Sequence, residues 1–487
     1  MSGSWTSTLL WLVPLGGALL VLILPMGERV RGAVALLATL VTAVLALAAA
    51  FEFSPSGGTQ FEQSHAWVRD IGLTYHVGMD GLSLVLVALA AVCMPCALGF
   101  GLWARRPNLR TYAALMLFLE AAVVLLLVAR DLALFYVGFE AMIVPLALLI
   151  AVWGGPNRAR ATIRFVIYTL VGSLLMLVGV ITLGLRAGTF DLAGVGTSDS
   201  RWLFLAFMAA FAIKAPLYPF HGWVPDAYRE APPEVSGLLS GVVSKAGAYG
   251  MLRFALPLFP GPAHDLRRWF VAIAVIGLLW CSLVAFRQPD SRGVIAYSSI
   301  SQMSLIGLGI FVMNDIGATG ATFQMVNHGL LSVLLFLLAG VIEVRTGDGL
   351  FRRIGGLARG RAALATVVMA AGIAALAVPG SSLFASEFLV LLGAFRDWWL
   401  IGALASLAIV LAAMYMLRWI SAILHDPPAD PSSSAPASVG DLRWEAAYLV
   451  PLVACVVALS VYPYAVTHRV SDSMHGIVSA VTAKAAP

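Results

Sequence analysis

Ala212-Ile213-Lys214-Ala215-Pro216-Leu217-Tyr218-Pro219 places a lysine and two prolines inside an apolar run that extends from about residue 202 to 222. A run of roughly 20 apolar residues has the length that crosses a bilayer. Proline lacks a backbone N–H and clashes with the preceding turn, so a helix broken at that depth persists only where protein or an aqueous cavity satisfies the freed groups. A second segment repeats the arrangement: Leu376-Ala377-Val378-Pro379-Gly380-Ser381 interrupts the run from 363 to 394, just before Glu387. The two segments predict broken membrane helices, each with an ionisable residue close to its break.

The rest of the chain agrees with a lipid solvent. Hydrophobic residues make up 60% of the 487 and charged residues 11%, with a mean hydropathy of +0.92. A water-soluble globule with those values has no polar surface. Windows of about 19 residues place spans at 7–26, 31–52, 80–103, 111–129, 132–153, 162–186 and 202–222. Further spans follow at 232–256, 268–286, 293–313, 318–343, 363–394, 397–423 and 444–465. The expected fold is all-α, a polytopic membrane protein of about 14 transmembrane helices with helices 7 and 12 broken. These two lie five spans apart, and an odd offset reverses orientation, so helices 4–8 and 9–13 are expected to form two inverted five-helix repeats. Prolines are common in membrane helices, so this symmetry leans on the charges as much as on the breaks. The expected division is residues 1–110 (helices 1–3 with an outer hairpin loop), 111–256 and 266–424 (the two repeats), and 425–487 (a cytoplasmic linker and helix 14).

Two connections are long enough to carry structure. Residues 52–80, with Gly57-Gly58 and alternation around Thr74 to Val77, read as a hairpin; Asp426 to Ser438, rich in Pro, Ser and Asp, reads as a linker. The odd-numbered loops hold the larger share of the arginines, among them Arg105, Arg106, Arg110, Arg158, Arg160 and Arg164. By the positive-inside rule this bias predicts both termini outside. The net charge of +5 is thus spent on topology, and no nucleic-acid partner is expected. Cys93, Cys96, Cys281 and Cys455 lie in apolar stretches without the neighbours of a metal or cluster site, so no metal is expected. The first apolar stretch, Leu9 to Pro25, lacks a basic leader and reads as a retained helix.

Lysine usage carries the chemistry. The chain has three lysines, and Lys214 and Lys245 both fall inside apolar spans while loop charge is almost all arginine. Arginine does not give up its proton, whereas a desolvated lysine switches state. Snorkelling to the interface is the bland alternative, opposed by the apolar residues on both sides of each lysine. Glu140 and Glu387 are the acidic counterparts. Each charge at mid-depth costs roughly 2.5–3.5 kcal/mol, so partners are expected, and Glu140 is predicted to pair with Lys214, which then passes a proton to Lys245. A purely structural ion pair is the alternative. His328, in Gln324-Met325-Val326-Asn327-His328-Gly329, serves equally as a proton carrier near neutral pH or as a packing histidine. Ser244, Ser299 and Gln302, with Ser298, Ser301 and Ser304, are suited to hold water chains. Glu120, which has no opposite charge in its own span, and His221, where helix 7 leaves the membrane, are weaker relay candidates. There is no dinucleotide fingerprint, phosphate loop or cluster-binding cysteine set, so redox chemistry is expected in other chains.

The run from Ala212 through Trp223-Val224-Pro225-Asp226-Ala227, with Glu230-Ala231-Pro232 and Ser244-Lys245-Ala246-Gly247-Ala248-Tyr249-Gly250, resembles the signature of the large antiporter-like membrane subunits of NADH-quinone oxidoreductase (respiratory complex I) and of multisubunit sodium/proton antiporters. Weaker likeness extends from Gly78-Met79-Asp80-Gly81 to Gly393. Glu387, where L-type and N-type relatives usually have lysine, and Val152-Trp153-Gly154-Gly155-Pro156 point to the M-type (chain 4) branch. So does the lack of the long carboxy-terminal lateral helix of L-type subunits. The resemblance implies a bacterial inner membrane location and L-type and N-type neighbours. It also implies NADH, FMN, iron-sulfur clusters and quinone in partner subunits, with none bound by this chain. Enzymatic activity then belongs to the assembled oxidoreductase. The family's proton path falls on Glu140, Lys214, Lys245, His328 and Glu387. Tyr228, where histidine is common, and Pro233-Glu234, where a threonine-containing run is usual, depart from the commonest pattern. The alternatives are a subunit of a sodium/proton antiporter or membrane-bound hydrogenase, and a membrane scaffold whose ion pairs lock helices.

Overall fold

A computed structural model describes residues 5–427 and 440–484; the linker expected over 426–438 therefore lies almost wholly outside the described residues. The chain is predominantly helical. The first four helices are long and unbroken: α1 (Thr6–Ile23), α2 (Glu28–Glu52), α3 (Gly81–Trp103) and α4 (Leu109–Val128). After α5 (Leu132–Ala141) and α6 (Ile143–Trp153) comes α7 (Arg158–Ala187). Pro145 cannot donate to the Ala141 carbonyl, and the helix of the span from Leu132 to Trp153 is interrupted at Met142, two residues after Glu140.

The seventh span breaks as expected. Helix α8 (Arg201–Lys214) ends on Lys214, and the chain continues through a 3₁₀ turn at Phe220–Trp223 into α9 (Val224–Glu230). The eighth is a succession of short pieces, α10 (Pro233–Leu238), α11 (Lys245–Gly250) and α12 (Leu256–Leu258), separated by π-helical turns at Leu239–Val243 and Met251–Ala255. Then follow α13 (Pro260–Phe286), α14 (Ser291–Phe311) and α15 (Asp315–Thr346). The twelfth span is split into α16 (Ala362–Ala375) and α17 (Ser382–Asp397). Ala377 and Gly380 take φ values of 51° and 97° between them, and the Ser381 hydroxyl caps the new helix by accepting from the Phe384 N–H. The chain ends with α18 (Trp399–Leu424), α19 (Ala446–Val461) and α20 (Tyr464–Lys484), the last turned 73° from α19.

Among the described residues, ten helices are long and apolar enough to cross a membrane, or eleven counting the bent α19–α20 pair. The expected number was about 14. The shortfall comes from the spans in pieces: hydropathy sums over a window whether or not the backbone inside it is continuous. The centre of the bundle is α15, whose apolar window is wholly buried, and α14, at 94%; α18, at 28%, lies outside. Helix α13 packs on α14, α15 on α17, and α7 on α8.

The expected hairpin is present. Strands β1 (Gln60–Val68) and β2 (Leu73–Met79) pair antiparallel, with Ser64 opposite His76 and Ala66 opposite Thr74. His76 sits between Glu62 and Asp191, 2.6 Å from each, and Asp131 accepts from the Thr74 hydroxyl at 2.8 Å, which fixes the hairpin to the ends of α5 and α7. Buried ion pairs close both ends of α3. At its start Asp80 pairs with Arg253 and accepts the Ser83 N–H; beyond its end Arg106 donates to both oxygens of Glu234, which also accepts the Tyr112 hydroxyl at 2.8 Å.

Candidate functional site

Helix α15 presents Gln324, His328 and Ser332 at four-residue spacing, with Asn327 beside them, so one face of the most buried helix is polar. Helix α14 faces it with Ser298, Ser299, Ser301 and Gln302. All eight side chains are buried. A polar seam at the centre of an apolar bundle is costly unless each group finds a partner, and the partners define the site.

Lys245, 1% exposed, stands where the first π-helical turn ends. Its Nζ lies 2.7 Å from the Ser240 carbonyl, 2.7 Å from Nδ1 of His328 and 3.3 Å from the Ser244 hydroxyl. The π turn aims the Ser240 carbonyl at the amine five residues on; such turns recur at functional sites because they free backbone groups in this way. If Lys245 carries the proton, His328 accepts it at Nδ1 and is neutral; if the amine is neutral, Nδ1–H donates to it. The same contact serves both states, and the two groups cannot both hold a charge at that distance without a counter-ion. Ser240 extends the cluster, its hydroxyl 2.7 Å from that of Ser299 and bonded also to Ser332. The Tyr228 hydroxyl adjoins Ser240 and Ser299 without bonding to either.

From His328 a cavity of about 20 Å³, bounded by Ser298, Ser332, Gln302 and Tyr415, leads towards the broken span. That exceeds the ~10–15 Å³ one water needs. Gln302 donates to Glu387 at 2.9 Å and accepts from Gln324 at 2.6 Å; Gln324 in turn accepts from Ser386, and Asn327 donates to Ser386 at 3.0 Å. The amides are thus oriented donor-first towards the carboxyl. A second space of about 10 Å³ touches Ser301, Gln302, Glu387 and Tyr415. The segment between the twelfth-span break and Glu387 supplies two members, since Ser382 gives its carbonyl to Asn327 and Ser386 its hydroxyl.

The other end of the row departs from expectation. Lys214 is buried and Glu140 is its acidic neighbour, but the two form no ion pair among the described residues. The Lys214 Nζ has no hydrogen-bond partner, nor has one carboxylate oxygen of Glu140; the ammonium sits over the Phe139 ring, 5.0 Å from its centroid. The attraction of a cation for a ring face takes the place predicted for the carboxylate. Helices α8 and α11, which carry the two lysines, are pressed together: a Cβ on Gly247 would lie 2.4 Å from the Phe211 carbonyl oxygen and 2.6 Å from the Ala215 nitrogen.

Of the sequence-derived candidates, Lys245, His328, Ser244, Ser299, Gln302 and Glu387 fall in one connected group, and Lys214 and Glu140 lie together at its end. Glu120 is fully buried with both oxygens unpartnered, and His221, stacked on Tyr218 with Nδ1 unpartnered, lies on the 3₁₀ turn; these atoms make no hydrogen bond to the row among the described residues. The sequence reading missed Ser240, Ser332, Gln324, Asn327, Ser386 and Tyr415. The four-residue spacing of Gln324 and Ser332 about His328 was the signal available for two of them.

The family described as NADH:quinone oxidoreductase/Mrp antiporter, TM matches residues 129–412, which hold every member of the row except Tyr415. The chain is 37% identical to NADH-quinone oxidoreductase subunit M of Mycobacterium tuberculosis (strain ATCC 25618 / H37Rv), covering 98% of this chain and 94% of the relative. A chain of respiratory complex I from Thermus thermophilus with bound NADH superposes with a TM-score of 0.88 at 29% identity, over 97% of this chain and 99% of that one. A chain of the Mrp complex from Dietzia sp. DQ12-45-1b reaches 0.86 at 21% identity, over 99% and 100%, a likeness of fold alone.

Proposed function

Because the chain belongs to the family of NADH:quinone oxidoreductase and Mrp antiporter membrane subunits, and within it to the M-type subunits of the oxidoreductase, we propose that the row from Glu140 to Glu387 is its proton path. The protein is a multi-pass membrane subunit of the proton-translocating oxidoreductase, and its antiporter-subunit alternative is not favoured by relatives of this identity and coverage. The observation that carries the path is the 2.7 Å contact of the Lys245 amine with His328, continued by a water-sized space to Gln302 and the Glu387 carboxyl. Amides do not release protons, so Gln302 and Gln324 orient the carboxyl and the proton passes beside them through the two spaces that Tyr415 borders.

In this reading the chain crosses the membrane fourteen times, the broken spans counting as crossings, with both termini outside and inverted repeats over helices 4–8 and 9–13. L-type and N-type subunits adjoin it, and the nicotinamide, flavin, iron-sulfur and quinone chemistry lies in partner chains. That chemistry alters the charge near Glu140, the ammonium of Lys214 is drawn towards or released from the carboxylate, and its field sets which of Lys245 and His328 holds the proton. Each proton delivered beyond Glu387 works against about 2.3 kcal/mol per 100 mV.

Replacing Lys214 or Glu140 by alanine in the assembled complex is expected to remove most proton transfer through this subunit, measured as protons pumped per NADH in sealed vesicles. Full pumping by both variants removes them from the path. Gly247→Ala tests the spacing between the lysines: its methyl forces α11 away from α8, and pumping is expected to fall as it does for Lys214→Ala while Lys214 and Lys245 remain. Unchanged pumping with normal assembly shows that the approach of α8 and α11 is packing only.

A further inference from the structure

Where α20 turns 73° away from α19, the two helices leave a wedge against α2, α3 and α15. Leu84, Ala88, Leu330, Leu459 and Val466 are among its walls, and its volume is about 300 Å³. That is many times the ~10–15 Å³ a water requires, and apolar cavities do not fill with water. At one side the wedge opens past Leu47 and Phe51, which are 57% and 79% exposed and belong to a helix read as membrane-spanning. It is therefore continuous with the hydrocarbon phase.

One charged group stands in this lining. Arg469, in the first part of α20, donates to the Ala465 carbonyl at 2.7 Å and to that of Ala50 at 3.2 Å, near the carboxy-terminal end of α2. Its Nε is buried and has no partner, and no carboxylate among the described residues pairs with it. A guanidinium held at the mouth of an apolar crevice, with a donor unused and its charge uncompensated, matches an anion attached to a hydrocarbon chain.

We propose that this wedge is a binding site for an anionic phospholipid, with an acyl chain between α3 and α19 and the headgroup phosphate on Arg469. The lipid takes the place of side chains that the turn at 461–464 leaves without neighbours, and it ties α20 to α2 and α3. None of the proton-path residues lines it, so the site stands apart from the row described above.

The test uses the assembled complex in nanodiscs of phosphatidylglycerol or of phosphatidylcholine, with p-benzoylphenylalanine in place of Leu459, and a control probe in place of Ile167 on the outer face of α7. After irradiation, the adducts are identified by mass spectrometry. Lipid adducts at position 459 are expected several-fold more often in phosphatidylglycerol, with no such preference at position 167. Arg469→Gln is expected to abolish the preference, and Ala88→Trp, which fills the wedge, to abolish the adduct. If the tryptophan variant does not assemble, Arg469→Gln decides alone. Adducts to another protein chain at position 459 would assign the wedge to a subunit contact. Lipid adducts indifferent to headgroup and to Arg469→Gln would make it ordinary lipid-facing surface. Either result overturns the proposal.

Discussion

Replacing Lys245 by arginine is expected to stop proton transfer through this subunit as completely as replacing it by alanine. The amine makes three contacts, to the Ser240 carbonyl, the Ser244 hydroxyl and Nδ1 of His328, and a hydrogen bond to a charged group is worth about 1.5–3 kcal/mol. Loss of one such contact from the step that loads the proton slows it roughly 10- to 100-fold, since 1.36 kcal/mol is tenfold in rate. Alanine removes charge, contacts and proton together. Arginine restores a cation but does not release its proton, so it separates the two roles of the residue. Were Lys245 only an ionic lock between α11 and α15, arginine would preserve function in part and alanine would not. The measurement is protons pumped per NADH in sealed vesicles, with the subunit's abundance in the membrane checked for both variants; substantial pumping by Lys245→Arg removes the transfer role and leaves the lock.

That residue also marks how far the sequence could be read. Lys214 and Lys245 stood out because nearly every other cation is arginine, a choice that concerns chemistry and needs no coordinates. The breaks at Pro216 and Pro379-Gly380 were legible for a similar reason, since proline and glycine act on the backbone locally. The hairpin over 60–79 followed from alternation and glycines. What escaped depends on contacts between distant spans. Lys245 meets His328 across 83 positions, and the π turn that aims the Ser240 carbonyl at the amine leaves no trace in hydropathy, because Leu239–Val243 is as apolar as an ordinary helix.

The pairing of Glu140 with Lys214 illustrates the opposite error. Opposite charges in lipid were expected to touch. Two spans fix where each side chain starts, however, and the Phe139 ring, adjacent to Glu140 on α5, lies under the ammonium. Separation of the pair is useful to a relay: an amine already bonded to a carboxylate holds its proton, whereas one resting on a ring responds to any change in charge at Glu140.

Arg106→Ala is expected to have the largest effect on stability of any single change considered, because it strands Glu234. That carboxylate is fully buried and receives two bonds from Arg106, at 2.7 and 2.8 Å, and one from the Tyr112 hydroxyl. Removing one partner of a buried pair costs about 3–5 kcal/mol, since the remaining charge has lost its solvent and its counter-ion. Domain stabilities are of the order of 5–15 kcal/mol, so the subunit is expected to accumulate poorly in the membrane and to be lost first on mild heating in detergent. The position adds to the effect. Glu234 lies in the first turn of α10, directly after Pro232-Pro233, and the pair joins this start of the eighth span to the turn after α3, so its loss frees the segment that leads to Lys245. A double change separates charge from contact. Arg106→Met with Glu234→Gln removes both charges, fills similar volume and leaves an amide oxygen at position 234 to accept from Tyr112, and it is expected to recover most of the lost abundance. If the double variant is as depleted as Arg106→Ala, the defect comes from packing around Arg106, and the buried charge is not what holds the two spans together.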